Sequence, residues 1–191
     1  MKGLTVNLMR ISGVRPRVHG NGFIQYDIDD RIRLHVWGDP RIPKQKVATP
    51  IHDHGFGFTS RVLKGSMTNT LYKFSPHVHG DFRVYRAVST PEGEDSSRLE
   101  PTGIIGKIRA FSTDIILAGG EYRMEPFVYH ESKVEGPTAT MIFKDGPTMA
   151  QGGSTPRVLV GVNQKPDNEF SRYDADEELL WQIIEDVIGQ R

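Results

Sequence analysis

The 191-residue chain carries 24 basic and 24 acidic residues and no cysteine. Balanced charge removes the overall field that would attract nucleic acid or an anionic membrane, and a cysteine-free chain has neither disulfides nor thiolate ligands. This length suits one domain with its own core, and no apolar run is long enough to span a bilayer.

The opening residues lack the apolar core of a signal peptide, so the expected location is the cytoplasm. Residues 1–20 are polar, and Arg15-Pro16-Arg17 argues against regular structure there. Residues 23–28 and 31–37 are β-rich runs around Asp29-Asp30, the pattern of a hairpin. Residues 38–48 hold two prolines and several basic residues and predict a loop. Arg41, Lys44 and Lys46 there lack interleaved aromatics, so a solvated loop is favoured over a phosphate contact. A strand is expected over residues 49–63, with Gly55 and Gly57 marking a bulge or a close backbone approach.

Lys64-Gly65 then turns into a strand at 68–74, and His79-Gly80-Asp81 separates that from another at 82–88. Residues 89–103 are polar and rich in turn formers, which predicts a surface loop. Strand-like runs follow at 108–117, 121–131 and 138–144, joined by turns at Gly119-Gly120 and residues 134–137. A Gly/Pro/Ser/Thr linker covers 145–156, and residues 157–162 read as one more strand.

Only the end has helical periodicity. Leu179, Leu180, Ile183, Ile184, Val187 and Ile188 form one apolar stripe. Asp174, Asp176, Glu177 and Glu178 crowd the first turn, where the helix dipole favours anions. Many short strands, Gly/Pro turns and one helix argue an all-β sandwich or barrel with a docked C-terminal α-helix. The expected organisation is a β-barrel over residues 1–162 and a tail with that helix over 163–191, within one domain.

The chemistry-bearing feature is Pro50-Ile51-His52-Asp53-His54. Residues two apart on a strand share a face, so His52 and His54 can aim both imidazoles at one point while Asp53 points away. His130, on a later strand-like run, could supply a third. Imidazole suits zinc, copper, iron and nickel. A second pair, His77 and His79, sits beside Pro76 and Gly80 and reads as a solvated hairpin end.

These residues resemble the cupin superfamily. Its first motif is matched by His52, His54 and Gly65, with the family's acidic ligand position falling on Phe58 or Thr59. Its second motif is matched by Gly120, Pro126 and His130, with His130 one residue early. The resemblance implies a cupin-type jelly roll, a β-barrel of two packed antiparallel sheets. The segments Leu34-His35-Val36-Trp37-Gly38 and Ile51-His52-Asp53-His54, with residues 63–71, resemble the cysteine-dioxygenase-like thiol dioxygenases, which lack that carboxylate. What this implies is a mononuclear non-haem iron(II) oxygenase with the metal on His52, His54 and His130. Zinc, nickel or manganese are the other divalent metals the site suits. The positions of the family's substrate-recognition residues hold Gln25, Tyr26, Thr140, Ile142 and Lys144, so cysteine is expected to be a poor substrate.

Two readings of residues 31–37 stay open. Arg31, Arg33, His35 and Trp37 share one face, and Ile32, Leu34 and Val36 the other. Simple amphipathicity puts the charged face in water. The resemblance puts it in the pocket, where Arg33 could hold a substrate carboxylate and His35 would lie near the metal. Phe58 would wall the pocket; Tyr72 and Met141 are lesser wall candidates, for which core packing is the expected role. The expected partner is a small-molecule substrate or ligand, with no nucleic acid and no membrane, in a chain compatible with a homo-oligomer. The alternatives to an oxygenase are a non-catalytic small-molecule- or sugar-binding or structural cupin, and a zinc or manganese isomerase or hydrolase on the same site.

Overall fold

The computed structural model describes residues 2–43, 50–90, 93–145, 155–166, 169–171 and 175–189. The chain opens with helix α1 (Lys2–Ile11), followed by β1 (Arg17–His19), β2 (Phe23–Asp27) and β3 (Ile32–Trp37). Next come β4 (Gly57–Lys64), β5 (Ser66–Pro76), β6 (Phe82–Thr90) and the long β7 (Gly93–Leu117). Then follow β8 (Glu121–Met124), β9 (Tyr129–Lys133), β10 (Thr138–Asp145), β11 (Arg157–Gly161), β12 (Glu169–Ser171) and helix α2 (Glu177–Gly189).

Two antiparallel sheets result. One has the order β1-β2-β3-β10-β4-β8 and the other β11-β6-β7-β5-β9, with β12 on β7. Counting residues 51–54 as a short strand between β3 and β4, the pairing nests. β3 pairs with β10, residue 52 with β9, β4 with β8, and β5 with β7. Each pair lying inside the one before it, with β6 inserted between β5 and β7 and paired with β7, is the double Greek key of a jelly roll, so the expected all-β fold of two packed antiparallel sheets is what the chain adopts. The turn into β5 needs its glycine. Gly65 has φ +74°, and a side chain there would collide with Thr138 Oγ1 and lie 2.8 Å from the Pro137 carbonyl oxygen.

The helices cover the outer face of the first sheet. Leu180, Trp181, Ile183, Ile184 and Val187 of α2 pack with Val6 of α1 against Ile24, Tyr26, Leu34 and Val36. Each such aliphatic side chain stabilises by roughly 1.5–3 kcal/mol when fully buried. Asp176 caps α2, its carboxylate accepting from the Glu178 N–H at 2.9 Å. Asp176, Glu178 and Glu185 stay exposed, as the apolar stripe predicts. The ion pairs Arg10–Glu178 and Arg15–Glu177 tie the N-terminal segment to this helix. No helix among the described residues is long and apolar enough to cross a membrane.

Several expectations are corrected. Residues 2–11 are helical although only the C-terminus has a full apolar stripe; Val6 and Met9, three apart, suffice once α2 is there to receive them. The turn-rich stretch 93–103 is the first half of β7, because β6 supplies a pairing partner from Val88↔Arg98 to Phe82↔Gly106. Pro101 is accommodated next to a register shift in that ladder. The run 121–131 is broken by a turn between β8 and β9. The motif strand begins only at Gly57, where a side chain would lie 3.2 Å from the Met124 carbonyl oxygen. Most of the expected linker, residues 146–154, and Lys44 and Lys46 lie outside the described residues. Arg41 is paired with Asp39 and Asp186.

Candidate metal centre

Residues 51–54 carry the histidine pair without belonging to a regular strand. They are held by backbone bonds on both sides. His52 and His130 exchange N–H···O bonds at 3.1 and 2.8 Å, and the Asp53 N–H donates to the Arg157 carbonyl and the Leu159 N–H to Ile51, each at 2.9 Å. This pairing, rather than strand continuity into β4, keeps the alternation. His52 and His54 face the space between the sheets, and Asp53 faces away. Asp53 is not in solvent. It is fully buried and takes the Arg157 backbone N–H at 2.6 Å and the Arg157 guanidinium Nε at 2.7 Å. That ion pair locks β11 onto the histidine segment. Phe127 adds a strained contact: its φ is +62°, and its N–H donates to the His54 carbonyl at 2.8 Å.

The three predicted imidazoles converge. His52, His54 and His130 each offer one nitrogen, and these atoms lie within 4.8 Å of one another. His54 Nε2 and His130 Nε2 are 3.1 Å apart. Two nitrogens about 2.1 Å from one ion and at right angles to each other would be separated by about 3.0 Å, so the His54–His130 spacing fits two adjacent ligands of one ion. The ring tautomers fit as well. His130 Nδ1–H donates to Asn69 Oδ1 at 3.0 Å, and His52 Nδ1–H to the Pro50 carbonyl at 2.7 Å. Both rings are left with Nε2 lone pairs for a ligand bond. Burial holds His54 and His130 well below the ordinary imidazole range and lowers His52, so the rings are neutral near pH 7. No carboxylate joins the cluster among the described residues. Phe58 packs beside the cluster, its ring centroid 5.2 Å from that of His54 and 6.2 Å from that of His130. Three neutral imidazoles with room beside them suit a divalent transition metal that keeps open positions.

Asn69 escaped the sequence reading. It is buried on β5, and its orientation is set by three bonds: Nδ2 donates to Met124 Sδ at 3.6 Å, while Oδ1 accepts from His130 and from Ser132 Oγ. Asn21 was missed too; its side-chain nitrogen is 3.3 Å from His52 Nδ1.

The cluster borders a small cavity of about 70 Å³ between the sheets. Five of the seven histidines line it: His19, His35, His52, His54 and His130. The face of β3 bearing Arg33, His35 and Trp37 also lines it, so the reading that put this face in water is wrong. Its physical reason is that α1 and α2 bury the opposite face, Leu34 and Val36, leaving the polar face to the interior. Phe58 lines the cavity as expected. Tyr72 and Met141 do not. Tyr72 packs against the Ile51, Val84, Tyr129 and Leu159 cluster and donates to Glu131 at 3.1 Å. Met141 pairs with Leu34 and shares its outward face under the helices. The other His-x-His pair is exposed at the end of the β5–β6 hairpin, with ring centroids 6.0 Å apart.

The polar wall has its own electrostatics. Arg17 and Arg33 both reach the Asp27 carboxylate, at 2.5 and 2.6 Å, and Gln25 Nε2 donates to both its oxygens at 3.0 and 3.1 Å. Lys144, also buried, donates to the Asp30 carbonyl at 2.7 Å, and its ammonium is lowered to about 8 by burial and then by Arg33. Burial, then Arg33 and Arg17, hold His35 well below its ordinary range.

No protein-family model and no curated protein sequence matches the chain. Solved structures do. Hydroquinone 1,2-dioxygenase PnpCD, in complex with Cd²⁺ and 4-hydroxybenzonitrile, aligns at 13% identity and a TM-score of 0.34, covering 64% of this chain and 63% of its own. Hydroquinone 1,2-dioxygenase from Sphingomonas sp. TTNP3, with 4-hydroxybenzoate bound, aligns at 10% identity and 0.34, covering 63% and 62%. A tryptophan-to-tyrosine variant of oxalate decarboxylase from Bacillus subtilis aligns at 14% and 0.37, covering 71% of this chain and 28% of its own. The chain thus spans less than two thirds of the length of each, and the jelly-roll topology rests on its own strand pairing.

Proposed function

We propose that the protein is a mononuclear metal-dependent oxygenase, with iron(II) as its metal, acting on a small organic molecule held between the two sheets. The observation that carries this reading is the convergence of three neutral imidazoles with no carboxylate among them. His52, His54 and His130 would hold the metal, which when bound supplies a Lewis-acid centre and a site for dioxygen. A neutral ligand set leaves the ion its full double charge, which favours an anionic substrate donor such as a thiolate or carboxylate. The chain's own part is placement and exclusion of water. Phe56 and Phe58 form an apolar wall next to His54, and Arg33 and His35 face the same cavity as orienting groups. Gln25, Thr140 and Ile142 line the wall where the thiol dioxygenases keep other residues, so cysteine is a poor substrate on this reading.

The test is oxygen uptake by the iron(II)-loaded protein across a panel of small thiols and carboxylic acids. Uptake with at least one acid or thiol, and weak uptake with cysteine, is expected. No uptake across the panel, with one iron per chain shown to be bound, would turn the site into a non-catalytic small-molecule module.

A further inference from the structure

We propose that the free edge of β7 is a self-association surface, on which a second copy of this chain pairs antiparallel across a two-fold axis. The inference is independent of the metal site and of the oxygenase reading.

The edge follows from strand pairing. β6 pairs with residues 93–106 of β7 on one side, and β5 with residues 106–117 on the other. Among the described residues, 107–117 therefore have a strand on one side only. Alternate residues there point their backbone N–H and C=O groups outward, a template for another strand. The stretch contains no proline. Apolar side chains stand in water along it: Phe111 is 46%, Ile115 72% and Leu117 65% exposed. Pairing with another strand would cover them.

The side chains identify the second copy as the occupant. Tyr72 pairs with Ala110 and Leu71 with Ser112, so Phe111 is the extra residue of a β-bulge. The bulge sets which residues share a face. Arg109, Ser112 and Asp114, opposite Lys73, Leu71 and Asn69, lie on one face, and Ile108, Ala110, Thr113 and Ile115 on the other. A two-fold axis between residues 111 and 112 then matches the faces of the two copies. Arg109 meets Asp114 of the second copy, Ile108 meets Ile115, and Ala110 meets Thr113, each twice. Without the bulge Arg109 and Asp114 would lie on opposite faces. Arg109 has no acidic partner among the described residues, and it stands opposite the like-charged Lys73. Like charges directly opposite are destabilising, and the carboxylate from the second copy offsets this. Ser112 Oγ donates to that carboxylate at 2.9 Å, on the same face. The length fits as well. Lys107 meets Ile116, so the pairing stops where β6 takes over the edge at Gly106. Two such strands exchange about ten hydrogen bonds, as many as a typical protein interface. A formal net charge of zero sets up no overall repulsion between copies.

The experiment is sedimentation equilibrium of the full chain over about 1–100 μM, with and without a chelator. A mass of twice 21.5 kDa is expected in both cases. Arg109→Asp and Asp114→Arg should each weaken the dimer about tenfold or more, because each sets like charges face to face. The two exchanges combined should restore it. Both side chains are exposed, so melting midpoints should stay near that of the wild type; if one variant fails to fold, the other decides. The chain has no cysteine, so Ser112→Cys places a single thiol beside the two-fold axis. Mild oxidation should link it to its copy, and should not link Glu185→Cys on α2. A monomer at every concentration overturns the proposal. So does a dimer that the folded single variants leave unchanged, a combined variant no better than the single ones, or Ser112→Cys linking no faster than Glu185→Cys.

Discussion

Replacing Asn69 by Leu tests whether the metal site depends on more than its three ligands. The substitution keeps the branched shape and the number of heavy atoms and removes the acceptor. His130 is 3% exposed, so its Nδ1–H, now bonded at 3.0 Å, would be left buried and unpaired. That penalty is about 1–3 kcal/mol, and it is relieved if the ring rotates or changes tautomer, either of which misdirects Nε2. The corresponding loss of metal affinity is about 10–100-fold. Asn69→Asp keeps an acceptor in place and should bind metal at least as tightly as the wild type. The assay is a competition titration of zinc or cobalt(II) against a chelator at fixed pH, with melting curves of the metal-free proteins as control. Asn69→Leu within twofold of the wild type, in a folded protein, would refute the claim that this amide positions His130.

Two further outcomes are expected. Ile184 is fully buried on α2, so Ile184→Ala should lose about 2–5 kcal/mol in urea unfolding, while the exposed Glu185→Ala should change it by no more than about 0.5 kcal/mol; similar losses for both would mean that α2 is not seated on the sheet. Lys144 has a folded pKa of about 8 against an ordinary 10.5, so the unfolded chain binds more protons between those values and stability from this group rises as pH climbs from about 8 to 10.5. Lys144→Met should remove that part of the slope and be more stable than the wild type at pH 7; an unchanged pH profile in the variant would show that the lysine is not held as a buried cation.

Local pattern made part of this protein legible and long-range pairing the rest. The 23–37 hairpin, the Gly65 turn and α2 were readable because alternation, turn chemistry and a 3.6-residue stripe are properties of short windows. His52, His54 and His130 were found because family motif spacing links two distant segments. α1 was hidden because it is held by its packing with α2, not by a stripe of its own. The face of β3 was ambiguous for a related reason. Alternation separates Arg33 and His35 from Leu34 and Val36, but it does not say which face the helices cover. Asn69 has no local mark at all; it reaches His130 only through the register Asn69↔Ser132 and Leu71↔His130 between β5 and β9.

The central claim is that His52, His54 and His130 form one metal site. Equilibrium dialysis against iron(II) or zinc, followed by elemental analysis of the wild type and of His54→Ala, tests it most directly. One metal per wild-type chain is expected, and none above background in a folded His54→Ala protein. A full equivalent retained by His54→Ala, or none bound by the wild type, would contradict it.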